Sequence, residues 1–273
     1  FFNSSSGKKE LFLSEDLKYS VDNNLDLEDT LVMDQYRKVV MYCCGPTVYD
    51  TPHLGNFRTF VFYDLVKRAL IINGHEVRQI INITDIDDKI IEKVNSGKSF
   101  KKLTSTHTNA FYELMEAFNT VTPDALPKTS NHIKDMIEFI FALEESGFAY
   151  CKDGNVFFDT KKYKSYGKFI KIDDMKDLED EDGDADLLGK KHKRDFALWK
   201  TWKEEDGDIG WESQWGKGRP AWHTECAVLA QCYGGTKGLA TVDIHCGGID
   251  LKFPHHENEA AQQEALASAV NYG

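Results

Sequence analysis

The sequence predicts an α/β protein in which a parallel-sheet, nucleotide-binding core is split by a mixed insertion. A strand, a helix and a second strand follow one another within residues 38–84, as in a βαβ unit. Helical patterns and a hairpin signal fill the middle of the chain, and a further strand, turn and helix follow towards residue 269. The 273 residues suffice for one large domain with a substantial insertion.

The first βαβ unit is defined by apolar runs and by the residues that end them. Residues 38–44 are a largely apolar run that stops at Gly45-Pro46, which is typical of a buried strand entering a turn. Apolar side chains recur at helical spacing from 55 to 72, and Asn73-Gly74 predicts the end of that helix. Residues 76–84 form the second predicted strand, which should run parallel to the first.

The middle of the chain predicts an insertion of mixed structure. Its helical patterns, together with the one that precedes it, cover residues 86–96, 99–119 and 130–147. An Asp-Gly pair at 153–154 between short apolar runs predicts a β-hairpin. The acidic run 173–186 and the basic run 190–194 predict a solvated loop.

The last part of the chain returns to the core. A helix is predicted near 222–231, a strand at 241–245, and a final helix that begins at Pro254 and runs to about residue 269. The predicted division into an N-terminal extension, a first core half, an insertion and a second core half is 1–37, 38–96, 97–195 and 196–273.

The composition and charge of the chain argue against several classes of protein. Asp and Glu number 45 against 33 Lys and Arg, so the net charge of −12 argues against binding nucleic acid through bulk charge. No run approaches the roughly 18 apolar residues of a membrane helix, and no membrane partner is expected. Six cysteines without a secretory signal indicate reduced thiols or metal ligands, and a cytoplasmic monomer is expected.

Four residues suggest a metal site. His255 and Glu259 are four apart in the predicted final helix and lie on one face. Cys44 ends the first strand, and Cys226 lies in the helix near 222–231. Two thiolates, an imidazole and a carboxylate would make a tetrahedral zinc site. A polar helix start and two inert buried thiols are the alternative interpretation.

Two glycine-containing turns suggest a nucleotide site. His53, Gly55 and Asn56 follow the first strand and open a helix, whose N-terminus attracts phosphate. Gly248 and Asp250 follow the later strand, where Asp250 could bind a ribose hydroxyl or an amine. Neither turn is a full dinucleotide fingerprint, and each has a purely structural alternative.

The motifs taken together resemble the cysteinyl-tRNA synthetase family. They occur in the family's order, from about residue 38 to 265, as CGPTVYD at 44–50, HLGN at 53–56, NITDIDDK at 82–89, GRP at 218–220, WHTEC at 222–226, GGIDL at 247–251 and FPHHENE at 253–259. The resemblance implies a class I, Rossmann-like catalytic core with a connective insertion. It implies activation of L-cysteine with Mg²⁺-ATP to cysteinyl adenylate and transfer of cysteine to the 3′ end of its tRNA.

The resemblance also assigns residues. The ligands of one zinc ion per chain would be Cys44, Cys226, His255 and Glu259. The cysteine pocket would include Gly45, Thr47, Thr84 and Trp222. His53 and Asn56 would be catalytic at the ATP phosphates, and the ATP site would also include Gly55, Gly248 and Asp250. Cys43 should point to the opposite face of its strand from Cys44.

Departures from the family pattern and two other functions remain open. Asn56 stands where the signature's namesake has a second His, and Cys246 stands where Gly is frequent. A lysine-rich signature loop and a helical tRNA-binding region are not found, so the 273 residues alone are expected to adenylate slowly. The alternatives are a cysteine ligase with an amino-sugar acceptor and a non-catalytic, zinc-stabilised binding module.

Overall fold

A computed structural model describes residues 2–3, 6–10, 12, 38–170, 189–234 and 242–271. The strands are β1 (Phe2–Asn3), β2 (Lys8–Lys9), β3 (Lys38–Cys43), β4 (Glu76–Ile81), β5 (Ala149–Lys152), β6 (Asn155–Phe158), β7 (Phe196–Thr201), β8 (Gly218–Pro220) and β9 (Ile244–Cys246). The helices are α1 (Leu54–Ile72), α2 (Asp88–Asn95), α3 (Phe100–Ala117), α4 (Ile133–Glu145), α5 (Trp222–Gly234) and α6 (His255–Asn271).

A parallel three-stranded sheet forms the core and confirms the predicted α/β fold. Its strand order is β4-β3-β9, and β3 pairs along its whole length with β4 and through its last three residues with β9. Because side chains alternate along a strand, Met41 and Cys43 pack towards α1 and α3, whereas Tyr42 and Cys44 pack towards α4, α5 and α6. Two helical layers therefore cover the sheet, and Cys43 faces away from Cys44 as predicted.

Strand β9 is shorter than predicted because a side chain interrupts its pairing. The strand begins at Ile244, whereas the sequence predicts it from residue 241. The carboxylate of Asp243 accepts a hydrogen bond from the N–H of Val40 at 2.8 Å, and its own N–H donates to the Val40 carbonyl at 3.0 Å. Residues 235–241 lie outside the described part of the chain.

A second, antiparallel sheet with the order β5-β6-β7-β8 contains the predicted hairpin. Asp153 and Gly154 turn that hairpin with φ of 53° and 81°, a left-handed conformation that suits this residue pair. The predicted insertion boundary at residue 195 falls immediately before β7, so this sheet continues into residues assigned to the second core half. The domain limits themselves remain predictions.

The final helix differs slightly from its prediction, and two predicted segments fall outside the described residues. The final helix begins at His255, immediately after a cis Phe253–Pro254 bond, rather than with Pro254 in its first turn. The predicted acidic loop at 173–186 and most of the predicted extension 1–37 lie outside the described residues. Among the described helices, none has the length and apolar character needed to cross a membrane.

An ion network joins the antiparallel sheet to α2. Arg219 on β8 contacts the carboxylate of Asp88 at the start of α2, and its Nε lies 3.3 Å from Oδ1 of Asp206. Lys200 on β7 approaches Asp88 from the same sheet at 3.4 Å. Since the side chains of Arg219 and Asp206 are at most one-tenth exposed, the buried Asp206 carboxylate depends on Arg219 for charge compensation.

Arg219→Ala should lower the free energy of unfolding by about 3 kcal/mol, because it leaves the buried Asp206 carboxylate unpaired. Urea unfolding followed by circular dichroism measures the change. The control is Lys134→Ala, which breaks an exposed pair with Glu138 and should cost less than about 0.5 kcal/mol. Equal effects of the two substitutions would show that the network does not stabilise the fold.

Candidate metal centre

The four residues predicted as metal ligands converge in the structure. One ligand atom from each of Cys44, Cys226, His255 and Glu259 lies within 4.8 Å of the other three, and all four residues are buried. Cys44 directly follows β3, Cys226 lies on α5, and the other two are one turn apart on α6. The parallel sheet and two helices on the same face therefore build one cluster from distant parts of the chain.

Two donor atoms at the centre of this cluster have ion-pair contacts but no hydrogen bond. Nε2 of His255 and Oε1 of Glu259 are 2.9 Å apart, and Oε2 of Glu259 is 3.3 Å from Nε2 of His245. Within the described residues, both His255 Nε2 and Glu259 Oε2 are buried without a hydrogen-bond partner. Because buried polar atoms in proteins almost always have a partner, these two indicate that something else binds them.

The two thiols of the cluster differ in acidity. The hydrogen bond between them lowers the pKa of Cys226 to about 6, whereas the same bond, with burial, raises the pKa of Cys44 well above its ordinary value. The shared hydrogen bond therefore favours ionisation of Cys226 over ionisation of Cys44. A thiolate next to a carboxylate is a negative pair that suits a divalent cation.

The pKa values of the Glu259 carboxyl and the neighbouring imidazoles also depend on one another. Burial opposes ionisation of Glu259, but His245 and His255 together hold the pKa of its carboxyl well below the ordinary value. Burial likewise opposes protonation of His255, yet Glu259 and Cys226 raise the pKa of its imidazole to about 10. In the absence of a metal, a proton on His255 therefore partly neutralises the cluster.

Three further histidines surround the cluster and are missing from the predicted site. Nδ1 of His223 lies 2.9 Å from Nδ1 of His255, so it fixes the ring that presents Nε2 to the cluster. Nε2 of His245 and Nε2 of His256 each lie 3.5 Å from the sulfur of Cys44. The signal was present in the sequence, since each of the three lies within three residues of a predicted ligand or at a strand end.

A second possible ligand set overlaps the first. It combines Cys44 and Glu259 with His245 and His256, again with ligand atoms within 4.8 Å of one another. This set is more open, because His245 is exposed and His256 is half-buried, whereas every residue of the first set is buried. The fully buried set also contains Nε2 of His255, which makes no hydrogen bond within the described residues.

The residues predicted to shape a cysteine pocket border the same space. Gly45 has no room for a side chain, since a Cβ there would lie 1.6 Å from the Asn82 carbonyl oxygen. Thr47 and Thr84 form a parallel bridge just beyond the strand ends, and the Asn82 amide donates to the Thr84 hydroxyl at 3.0 Å. The Trp222 ring stacks on His255 with 4.1 Å between ring centroids.

The residues predicted to bind ATP lie at the exposed rim. His53 caps α1, and its Nδ1 accepts a hydrogen bond from the N–H of Asn56 at 3.3 Å. These two residues and Gly55 are exposed at the helix N-terminus, where backbone N–H groups favour an anion. Gly248 and Asp250 lie at a short helical turn beyond β9, and Asp250 is also exposed.

A strap from the insertion is fastened to the ligand-bearing helix α6. We use the name strap for residues 163–170. The buried carboxylate of Glu257 accepts three backbone hydrogen bonds from it, donated by residues 167–169 at 2.8, 3.0 and 2.7 Å. The Tyr166 hydroxyl donates to Asn258, and Lys168 pairs with Glu264 at 2.6 Å. The insertion therefore holds α6 at the turn that carries His255 and Glu259.

Comparison with known proteins gives a consistent picture. The family model described as the class I (C) tRNA synthetase catalytic domain matches residues 30–272. A protein named cysteine–tRNA ligase from Metallosphaera sedula is 46% identical over 233 residues, which are 85% of this chain and 48% of that protein. The protein of the same name from Pyrococcus furiosus is 46% identical over 232 residues, 84% of this chain and 46% of its own length. The chain thus spans about half the length of these relatives.

A solved structure supports the fold. The methionyl-tRNA synthetase of Mycobacterium tuberculosis, in complex with methionyl-adenylate, superposes with a TM-score of 0.65 at 13% identity. The match covers 84% of this chain and 55% of that one. At this identity the likeness concerns the arrangement of strands and helices, which is the Rossmann-like class I architecture predicted from the sequence.

Glu257→Gln should loosen the strap, because an amide cannot accept hydrogen bonds through both of its terminal atoms. Leaving buried N–H groups unpaired should lower the free energy of unfolding by about 1–3 kcal/mol and speed limited proteolysis within residues 163–170. Mass spectrometry of the fragments locates the cut. Glu264→Gln serves as control, because it weakens a half-exposed pair with Lys168 and keeps an oxygen that can accept from the Tyr163 hydroxyl. Equal proteolysis of both variants would contradict the role of Glu257.

Proposed function

The chain belongs to the family of class I (C) tRNA synthetase catalytic domains, and on this premise we propose that its protein activates L-cysteine with Mg²⁺-ATP. The products are cysteinyl adenylate and pyrophosphate, and the cysteinyl group then passes to the 3′ end of the cognate tRNA in the cytoplasm. The observation that carries the proposal is the buried cluster of two thiols, an imidazole and a carboxylate at the open end of the sheet. Such a cluster selects a substrate that carries a thiol.

We propose that one zinc ion is held by Cys44, Cys226, His255 and Glu259. The donor types fit, since thiolate, imidazole and carboxylate are the ligands that zinc prefers. The environment fits too, because His255 Nε2 and Glu259 Oε2 are buried without hydrogen-bond partners. When bound, zinc supplies a soft Lewis acid that stabilises the thiolate form of the substrate sulfur.

The chain's own residues hold these ligands in place. His223 holds the Nδ1 edge of the His255 ring through its 2.9 Å contact, and Trp222 covers the ring face by stacking. Asn82 holds Gly45 and Thr84 together, since its side chain accepts from the Gly45 N–H at 2.8 Å and donates to the Thr84 hydroxyl. A pocket with so little freedom favours a small substrate side chain, and glycine at position 45 lets the backbone pack directly against the Asn82 carbonyl.

We assign the binding of the ATP phosphates to the N-terminus of α1. Adenylation requires the α-phosphate in line with the substrate carboxylate and positive potential where charge develops. The first N–H groups of α1 and the exposed imidazole of His53 provide donors there. Asn56 adds a donor without a charge. Gly248 lets backbone approach the adenine ring, and Asp250 is free in solvent to accept from the ribose or the substrate amine.

Discrimination between cysteine and serine requires more than shape. The two differ by one atom, and a plain pocket separates near-isosteres by only about 100-fold. A site that bonds the distinguishing group directly reaches about 10⁴-fold or more, because the wrong substrate leaves its partners unsatisfied. The buried cluster with two thiols supports a site in which the substrate sulfur would be bonded directly.

Cys226→Ser should reduce zinc from about one ion per chain to a substoichiometric level and weaken cysteine binding at least about 10-fold, because a hydroxyl is a poor zinc ligand. Elemental analysis and calorimetric titration measure the two quantities. Cys232→Ser, an exposed thiol on the same helix, is the matched control and should leave both unchanged. Full zinc occupancy in the Cys226 variant would overturn the ligand assignment.

The whole protein should catalyse cysteine-dependent exchange of pyrophosphate into ATP, with kcat/KM for cysteine at least about 10⁴-fold above that for serine. Removing the metal with a chelator should lower cysteine exchange, and adding zinc should restore it. Charging of tRNA is assayed in parallel. Exchange without tRNA charging, but with consumption of an amino sugar, would favour the ligase alternative, and no exchange at all would favour a binding module.

A further inference from the structure

We propose that Cys43 and Cys246 are a redox-sensitive pair, and that peroxide joins their sulfurs in a reversible disulfide beside the metal cluster. Both are free thiols, and neither belongs to the proposed zinc ligands. This modification site goes beyond aminoacylation. The disulfide can be detected directly, whether or not the protein aminoacylates tRNA.

The strand register brings the two thiols together. Cys43 on β3 and Cys246 on β9 are direct partners across neighbouring parallel strands. Such strands lie about 4.8 Å apart, which is within the Cα separations of about 4.4–6.8 Å that disulfides span. Both side chains point to the face of the sheet covered by α1, and their thiols are within hydrogen-bonding reach of each other.

The two thiols differ in access to solvent. Cys246, the last residue of β9, is half-buried, whereas Cys43 is fully buried. The sulfur of Cys43 also accepts a hydrogen bond from the side-chain amide of Gln79 at 3.7 Å. An oxidant therefore meets Cys246 first, and Cys43 is placed to react with the product, as in sensors with a neighbouring resolving thiol.

The chemistry balances with hydrogen peroxide as the oxidant. The thiolate sulfur of Cys246 attacks one peroxide oxygen, the O–O bond breaks, and a sulfenic acid and one water are formed after proton transfer. The sulfur of Cys43 then attacks the sulfenic sulfur, the S–O bond breaks, and a second water leaves with the thiol proton. Two thiols and one peroxide thus give one disulfide and two waters, and a dithiol reductant reverses the result.

The disulfide would act on the reaction site through the backbone. The N–H of Cys44 donates to the carbonyl of Cys246 at 3.0 Å, and Gly247 and Gly248 follow directly. A covalent link one residue before Cys44 therefore constrains the metal ligand and the glycine turn together. Since a misplacement of about 1 Å can lower a rate about 100-fold, oxidation should lower cysteine-dependent exchange by about 10- to 100-fold.

The test uses the whole, zinc-loaded protein. It is treated with hydrogen peroxide, its remaining thiols are alkylated, and its peptides are mapped by mass spectrometry without reduction. A peptide containing residues 43–44 should be cross-linked to the peptide containing Cys246, and dithiothreitol should release it and restore exchange. Absence of this cross-link under conditions that oxidise other thiols would overturn the proposal.

Variants decide which sulfur takes part. Cys43→Ala and, independently, Cys246→Ser should abolish the cross-link and protect exchange activity, whereas Cys151→Ala, an exposed thiol elsewhere, should do neither. A cross-link that persists in the Cys43 variant would assign the bond to Cys44. Equal loss of activity in all variants with release of zinc would assign the damage to the ligand thiols. Either result would refute the pair.

Discussion

The parallel pairing of β3 with β9 is the constraint on which the rest of the structure depends. Its last ladder bond runs from the N–H of Cys44 to the carbonyl of Cys246. At this point the strand ends open into the turns at Gly45 and Gly247, and side chains from two helices reach the same space. Without this pairing, the thiol after β3 would have no fixed position relative to α5 and α6.

The cluster that results is stable only because its groups compensate one another. A buried carboxylate and a thiolate are costly unless positive groups or a metal face them. His245 and His255 supply that compensation for Glu259 at distances of 3.3 and 2.9 Å. The strap contributes from outside, since Glu257 holds the same helix through three backbone N–H groups. The charged groups of the cluster and the strap from the insertion therefore both contact the same turn of α6.

Much of the fold and the four clustered residues could be predicted from the sequence. Apolar periodicity and the Gly-Pro and Asn-Gly turns depend only on residues that are neighbours in the sequence. The strands, the helices and the hairpin at Asp153 could therefore be predicted. His255 and Glu259 are four apart on one helix, and their proximity follows from helical geometry alone. The cysteines needed the family resemblance, because nothing in their spacing reveals that β3 and α5 meet.

The remainder depends on contacts between distant segments. His223 lies three residues before the predicted ligand Cys226, but its contact with a ring on another helix, at a sequence separation of 32, could not be predicted from that position. The shortening of β9 results from a carboxylate of Asp243 that replaces a backbone partner of Val40. The strap of Glu257 joins residues about ninety positions apart, and no periodic signal marks it.

The order of strands also bears on how the chain reaches its folded state. The contact between Cys44 and His245 spans 201 positions, so the sheet cannot be completed until most of this sequence has left the ribosome. Contacts of such separation form slowly, because loop closure must precede them. During synthesis, which proceeds at about 5–20 residues per second, β3 and β4 can pair while the edge of β3 that later receives β9 stays open for about 10–40 seconds. The unpaired edge of β3 must be protected during that interval, although β9 covers it in the native structure.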